Sequence, residues 1–344
     1  MEQYKNMKVR TLASLCLIST LYACGGMQVT NSPDKEYPID TTGEEAQSED
    51  TESEIDNIED EEEEAVDTGG SAETEVDAPL TDFSQTGPHA VTVQDRTVSV
   101  TGCNINYDIY TPQGITDPPT VVLGHGFARG SSVMVGWAEH FSSWGVEVLL
   151  PTLCHYNVLT GVDHEMNGQN MKELAALHGS TSTVYAGHSA GGLAAIIAAA
   201  QDSGTVGVLG LDATDTEGVP GVDDFIGREY AGDVSCPSFS VMGEPSTCNS
   251  NNNGLELFKA MPEYRAIQVM SADHCDFESP TDFVCEMSCE ASTAEYSDEE
   301  IRPVIVSLAT AAIVSLAGVS EDGTLVWADV GISDWIEEGL IQEK

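Results

Sequence analysis

Cations are scarce in this chain. Its 344 residues hold 12 Lys and Arg against 58 Asp and Glu, for a net charge of −46. A surface of that sign repels phosphate backbones and anionic membranes, which excludes nucleic acid as a partner. Metal-site spacing is missing as well: no C-x₂-C pair occurs and no His/Cys cluster replaces it, so no metal is expected. An apolar run long enough to span a bilayer does not occur near the start, where residues 12–21 fall short of the length needed. Large apolar and aromatic side chains almost vanish between residues 25 and 82, a stretch with 21 acidic residues and one basic, Lys35. Such a segment cannot bury enough surface to offset the entropy of ordering, and reads as a self-repelling, disordered spacer.

The first residues have a different character. Lys5, Lys8 and Arg10 precede the apolar run and the sequence "LYACGG". This is the layout of an export signal. Leu21-Tyr22-Ala23-Cys24 resembles the bacterial lipobox, which implies cleavage before Cys24 and lipidation of that residue. The expected organisation is a signal over 1–23, an acidic linker over 24–82 and one folded domain over 83–344. The expected location is the cell envelope, held by the lipid on Cys24 or secreted. Gly25 lacks the Asp that resembles an inner-membrane retention signal, which favours the outer membrane. The folded part is expected to be a monomer that meets the membrane through its anchor alone.

Export favours disulfides. Seven cysteines lie in the folded part, at 103, 154, 236, 248, 275, 285 and 289, so one thiol is left over. Short loops would be closed by Cys236 with Cys248, and by Cys275 with Cys285 or Cys289.

Residues 83–344 alternate between strand and helix patterns. "AVTVQDRTVSVTG" and "CNINYDIYTP" alternate like antiparallel edge strands. "TVVLGHG", "VEVLLPT", "STVYAGH", "TVGVLGLD", "CPSFSVMG" and "RAIQVMSAD" read as buried parallel strands. Between them lie helical stretches around 132–144, 168–178, 190–202 and 255–261, and a long one closes the chain from about 301 to 318. The tripeptide at 163–165, "DHE", reads as a solvated loop. This alternation implies an α/β domain with a mostly parallel sheet covered by helices on both faces.

Chemistry in such a sheet gathers at the carboxyl ends of the strands. There the order is "HGF" after the first parallel strand, Ser189 after "STVYAGH", Asp212 after "TVGVLGLD" and His274 after "RAIQVMSAD". A serine hydroxyl needs an imidazole to take its proton as it attacks a carbonyl. The imidazole needs a carboxylate to fix its tautomer. Gly187-His188-Ser189-Ala190-Gly191 is the G-x-S-x-G pattern of a serine on a tight strand-to-helix turn. The Ala190 N–H would face a developing oxyanion, with the Phe127 N–H as its partner. His274 is the one histidine of eight that follows Ser189.

"VVLGHGF", "GHSAGG", "GLDATD" and "SADHCDF" in this order resemble the α/β-hydrolase superfamily, over residues 88–344. The resemblance is to its platelet-activating-factor acetylhydrolase, chlorophyllase and cutinase-like polyesterase branch. It implies a cofactor-free hydrolase of small-molecule or polymeric carboxylic esters with the triad Ser189, Asp212 and His274. Asp212, 23 residues past Ser189, fits the acid position that the resemblance to the first two of these, the acetylhydrolase and chlorophyllase, implies. Asp215 and Glu244 stand as alternatives, the latter after the next strand, where many other members carry the acid. An amidase or peptidase of the same fold, or a non-catalytic surface lipoprotein, are the rival readings. The polar, Gly-rich stretch after Asp212 implies little or no cap, and an open groove suited to a bulky ester.

Overall fold

The structure, a computed structural model, describes residues 80–344 apart from 158–160, 219–224, 290 and 294. The chain separates into Met1–Glu73 and Thr74–Lys344, and the described residues belong to the second unit. The signal, Cys24 and the acidic linker up to residue 79 lie outside the described residues.

The domain opens with an antiparallel pair, β1 (Val91–Val100) and β2 (Cys103–Pro112), in register from Val91 opposite Pro112 to Val100 opposite Cys103. It continues with β3 (Thr120–Gly124), α1 (Val135–Ser143), β4 (Glu147–Pro151) and a two-stranded ribbon, β5 (Tyr156–Asn157) with β6 (Gly161–Val162). Then come α2 (His164–His178), β7 (Thr183–His188), α3 (Ala190–Gln201), β8 (Thr205–Leu211), α4 (Gly227–Ala231) and β9 (Ser238–Met242). The last part holds α5 (Leu255–Lys259), β10 (Tyr264–Val269), α6 (Phe283–Ser288), α7 (Asp298–Leu316), α8 (Glu321–Val326), α9 (Asp329–Glu337) and β11 (Ile341–Glu343).

Nine strands form one sheet in the order β1-β2-β4-β3-β7-β8-β9-β10-β11. The six from β4 to β10 run parallel, while β1, β2 and β11 are antiparallel additions at the two edges. This is the expected α/β architecture. The two faces can be read from the pleat, which sends successive side chains to opposite sides. Val121, Leu123, Val148, Leu150, Val184 and Ala186 pack on the face covered by α1 and α7. Val122, Leu149, Tyr185 and Val208 pack on the other, against α2, α3 and α5. Residues 190–199 of α3 are buried on every side, which is why that helix carries no polar face. Each fully buried Val, Leu or Ile side chain of these two layers contributes about 1.5–3 kcal/mol.

Two helices begin earlier than the apolar pattern suggests, because their first turns are set by caps. The α2 helix starts at His164, with the Asp163 carboxylate accepting from the Met166 N–H at 2.8 Å. The "DHE" stretch is therefore a helix start and not a solvated loop. His164 is 1% exposed, and its Nε2 lies 2.6 Å from the Gly218 carbonyl. The α7 helix starts at Asp298 under a Ser297/Glu300 capping box, three acidic residues lying in its first turn beside the positive end of the helix dipole.

Disulfides join Cys103 to Cys154, Cys248 to Cys289 and Cys275 to Cys285, and Cys236 is a buried free thiol. Pairing Cys236 with Cys248 is thus incorrect, for a geometric reason. Cys236 precedes β9 and Cys248 follows it, so the strand holds them at opposite ends of the sheet. Among the described residues between β8 and β9, the short α4 is the one regular element, and no cap stands there. Cover for the strand ends comes from elsewhere, the segment around α6. No described helix is long and apolar enough to cross a membrane.

Candidate active site

Four strand ends converge. β3 delivers His125 to Arg129, β7 delivers Ser189, β8 delivers Asp212, and β10 leads through a short turn to His274. Ser189 occupies φ 56°, ψ −126°, a left-handed conformation that costs a non-glycine residue about 1–3 kcal/mol. The neighbourhood forces it. A Cβ on Gly187 would lie 2.3 Å from the Gly191 carbonyl, and one on Gly191 would lie 2.5 Å from the His125 carbonyl. The strand, the turn, the helix and the β3 loop approach backbone to backbone, which side chains would prevent.

The Ser189 N–H donates to the Leu211 carbonyl at 3.0 Å, and its own carbonyl accepts from Gly192 and Thr214. The serine turn is thereby bound to the end of β8, where Asp212 also takes a positive φ, of 44°. His274 Nδ1 lies 2.6 Å from Asp212 Oδ2, with both side chains buried. The other Asp212 oxygen, Oδ1, accepts from the Gly243 N–H at 3.0 Å. Asn249 Nδ2 adds donors to both oxygens, at 3.3 and 3.2 Å. With so many donors on it, the carboxylate has one orientation available, and it faces the imidazole.

The two alternative acids go elsewhere. Asp215 accepts from the Gly227 N–H at 2.7 Å and lies 3.9 Å from Arg228 Nε, which fastens the start of α4. Glu244 accepts from the Ser271 N–H at 3.0 Å and from the Thr293 hydroxyl at 2.7 Å, which ties two loops together. The structure joins Asp212 to His274 and sets Ser189 and His274 in the wall of one cavity, and it gives Asp215 and Glu244 other partners.

A cavity of about 310 Å³ opens over Ser189 and His274, walled by Phe127, Glu278, Val284 and Cys285. The Phe127 and Ala190 N–H groups, the two expected oxyanion donors, are given to no acceptor among the described residues. Ala190 is the first residue of α3, where an N–H has no partner within the helix. Tyr156 holds this turn from behind by donating its hydroxyl to the Ala190 carbonyl.

Two further histidines support the site in a neutral state. Burial pushes His125 down to about 4, so its ring carries no charge at neutral pH. Its tautomer follows from its partners: Nδ1–H donates to the Gly126 carbonyl at 2.9 Å and Nε2 accepts from the Leu153 N–H at 2.9 Å. Burial, with help from the neighbouring His274, also holds His188 well below its ordinary value. Its Nε2 donates to the His274 carbonyl at 3.1 Å, and the two rings lie 4.5 Å apart.

Three participants escape a reading of the sequence. Asn249 lies in "CNSNNNG", which carries the signal of a turn and nothing of its contact with Asp212. Glu278, fully buried, takes a two-pronged ion pair from Arg129, Nε to Oε1 and Nη2 to Oε2, both at 2.7 Å. The α6 segment is clamped over the cavity by Cys275–Cys285 and Cys248–Cys289. The Cys275, Cys285 and Cys289 sulfurs lie within 4.8 Å of one another, yet all three are committed to disulfides.

No family model matches this chain, and neither does any curated protein. Among solved structures, a neighbour is the crystal structure of a membrane phospholipase A, described as a novel bacterial virulence factor. It is 12% identical over 51% of this chain and 78% of that one, with a TM-score of 0.42. That likeness is too slight to carry an argument about either fold or chemistry.

Proposed function

We propose that the protein is a serine hydrolase of carboxylic esters. The observation that carries this reading is the Asp212–His274 contact at 2.6 Å at a cavity lined by Ser189, His274 and Phe127, with the Phe127 and Ala190 amides given to no acceptor among the described residues. Asp212 holds His274 with Nδ1 protonated, leaving Nε2 as the base. Ser189 gives its hydroxyl proton to Nε2 as Oγ attacks the ester carbonyl carbon. The carbonyl oxygen takes the negative charge and is received by the Phe127 and Ala190 N–H groups. Loss of one such donor typically costs about 10²–10³ in rate. The C–O bond to the alcohol then breaks, His274 returns the proton to the leaving oxygen, and an acyl-serine remains. Water, deprotonated by His274, releases the acid and restores Ser189.

The cavity supports an uncharged acyl group. Its walls include Phe127, Val284 and a disulfide, and Arg129, the one Lys or Arg lining it among the described residues, is already engaged by Glu278 and Asp282. Three disulfides support the further proposal of an exported protein, anchored through Cys24. The deciding experiment compares wild type with Ser189→Ala on p-nitrophenyl esters of graded chain length, with fluorophosphonate labelling of both. Wild-type turnover and labelling, both lost in the variant, are expected. Equal turnover in the two proteins, or neither turnover nor labelling in the wild type, overturns the reading.

A further inference from the structure

The loop that presents the Phe127 amide is held by an unusual combination of a strained turn and a buried ion pair. The Arg129 N–H donates to the Gly126 carbonyl at 3.3 Å, which closes a four-residue turn over Gly126, Phe127, Ala128 and Arg129. The third residue of this turn, Ala128, sits at φ 54°. That region suits glycine or asparagine, and an alanine there has no side-chain hydrogen bond with which to hold itself. Something outside the turn must keep it in place.

The Arg129 side chain is that restraint. Its guanidinium meets Glu278 in a planar two-pronged pair at 2.7 Å on each arm, and Nη2 also reaches Asp282 Oδ1 at 2.8 Å. The side chains are 13% exposed for Arg129 and 1% for Glu278, so water competes little for this pair. Glu278 follows His274 by four residues, at the end of the 3₁₀ turn His274–Phe277, and Asp282 caps α6. Other bonds join these regions: Ser279 N–H to the Val133 carbonyl at 2.7 Å, and Trp137 Nε1 to the Phe277 carbonyl at 2.8 Å. Those bonds anchor α1 and the segment leading into it. Among these bonds to the segment after His274, Arg129 alone acts on the turn that carries Phe127, whose Gly126 carbonyl is held on the other side by His125 Nδ1 at 2.9 Å.

We infer that Arg129 and Glu278 are positioning residues, which hold the Phe127 amide at the place where the oxyanion forms. This inference rests on the ester-hydrolase reading of the site. A fork of this kind fixes both the distance and the plane of the guanidinium, which a lysine cannot reproduce. Arg129 borders the cavity with its guanidinium already paired, so its part in the reaction runs through the backbone of Phe127. Its loss should therefore appear in the transition state and not in ground-state binding.

The test uses the full chain and three variants, Arg129→Lys, Glu278→Gln and the double apolar replacement Arg129→Met with Glu278→Leu. Active sites are titrated to completion with a fluorophosphonate, so that rates refer to folded enzyme. In all three, kcat is expected to fall about 10- to 100-fold, approaching the loss of an oxyanion donor, with KM changed by less than about threefold. Affinity for a trifluoromethyl ketone, whose adduct carries the oxyanion, is expected to fall in parallel with kcat. The double variant separates positioning from folding, because removing both charges relieves the buried unpaired group. If it regains thermal stability while kcat stays low, the pair positions the amide. If it regains both, or if KM rises while kcat holds, the inference is overturned. A wild type without turnover overturns the hydrolase reading and this inference together, whereas an active wild type with unimpaired variants overturns this inference alone.

Discussion

Asn249 donates one side-chain nitrogen to both carboxylate oxygens of Asp212, at 3.3 and 3.2 Å, and to the Glu244 carbonyl at 2.7 Å. Its own Oδ1 accepts from the Ser246 and Asn252 N–H groups. The asparagine is thus the keystone of its turn and the support of the acid at once. Asn249→Leu removes these donors from a buried carboxylate. The expected result is a fall in kcat of about 10-fold and a loss of about 1–3 kcal/mol in stability, read from ester kinetics and urea unfolding. Unchanged kinetics would show that Gly243 alone orients Asp212.

The assignment of the acid has its own test. Asp212→Asn keeps the size of the side chain but offers His274 the wrong hydrogen-bonding partner, and a fall in kcat of about 10³–10⁴ is expected. Asp215→Asn and Glu244→Gln, whose oxygens serve backbone and loop contacts, are expected to keep kcat within about threefold. A larger loss in either than in Asp212→Asn reverses the assignment.

How much of this was legible beforehand follows the range of the interactions. The strands could be read because a buried parallel strand is a continuous β-branched run, as in "TVVLG" and "TVYAGH", and their order placed Ser189, Asp212 and His274 at strand ends. The architecture followed from the same alternation. Helix starts were legible only where a cap was weighed, and Asp163 and Ser297 show what is missed when apolar periodicity alone sets the boundary. The second rank of the site could not be read at all. Asn249 stands 37 residues from Asp212, and Glu278 stands 149 from Arg129, so no local pattern links either pair. The same holds for Cys248 and Cys289, whose closeness depends on α6 folding back over the strand ends.

The clamp on α6 yields a further prediction. Cys275 adjoins His274 and is joined to Cys285, ten residues on, at the cavity wall. Replacing both by serine frees the His274 turn from the α6 wall while Cys248–Cys289 still holds the far end of the helix. A loss of about 2–4 kcal/mol in stability is expected, together with a smaller fall in kcat, and both are measured on the purified double variant. Full stability in that variant would mean that the packing of Phe277 and the Asp273 cap hold the turn unaided.

Asp276 sets a pH dependence in the same turn. Burial, with the charges of Asp273 and Asp298 nearby, outweighs the Asp273 N–H bond and Arg302 and pushes its carboxyl up to about 7 from an ordinary 3.8. Below the unfolded value both states are protonated and nothing is lost. Between about 4 and 7 the unfolded chain releases a proton that the folded one retains, so stability falls as pH rises, and the loss is complete above the folded value. At 1.36 kcal/mol per unit this amounts to about 4 kcal/mol at most. Asp276→Asn carries no charge at any of these pH values and still offers an oxygen to the Asp273 N–H, which Asp276 Oδ2 now accepts at 2.7 Å. The buried His125 acts in the opposite sense, costing stability as pH drops from 6.5 toward 4, but it is common to both proteins and cancels in their difference. The gain in melting temperature of Asp276→Asn over wild type is therefore expected to be near zero at pH 4, to grow through pH 6 and to level off above about pH 7.5. A gain that is constant across that range would place the titration of Asp276 in the ordinary carboxylate range and remove this account of the turn.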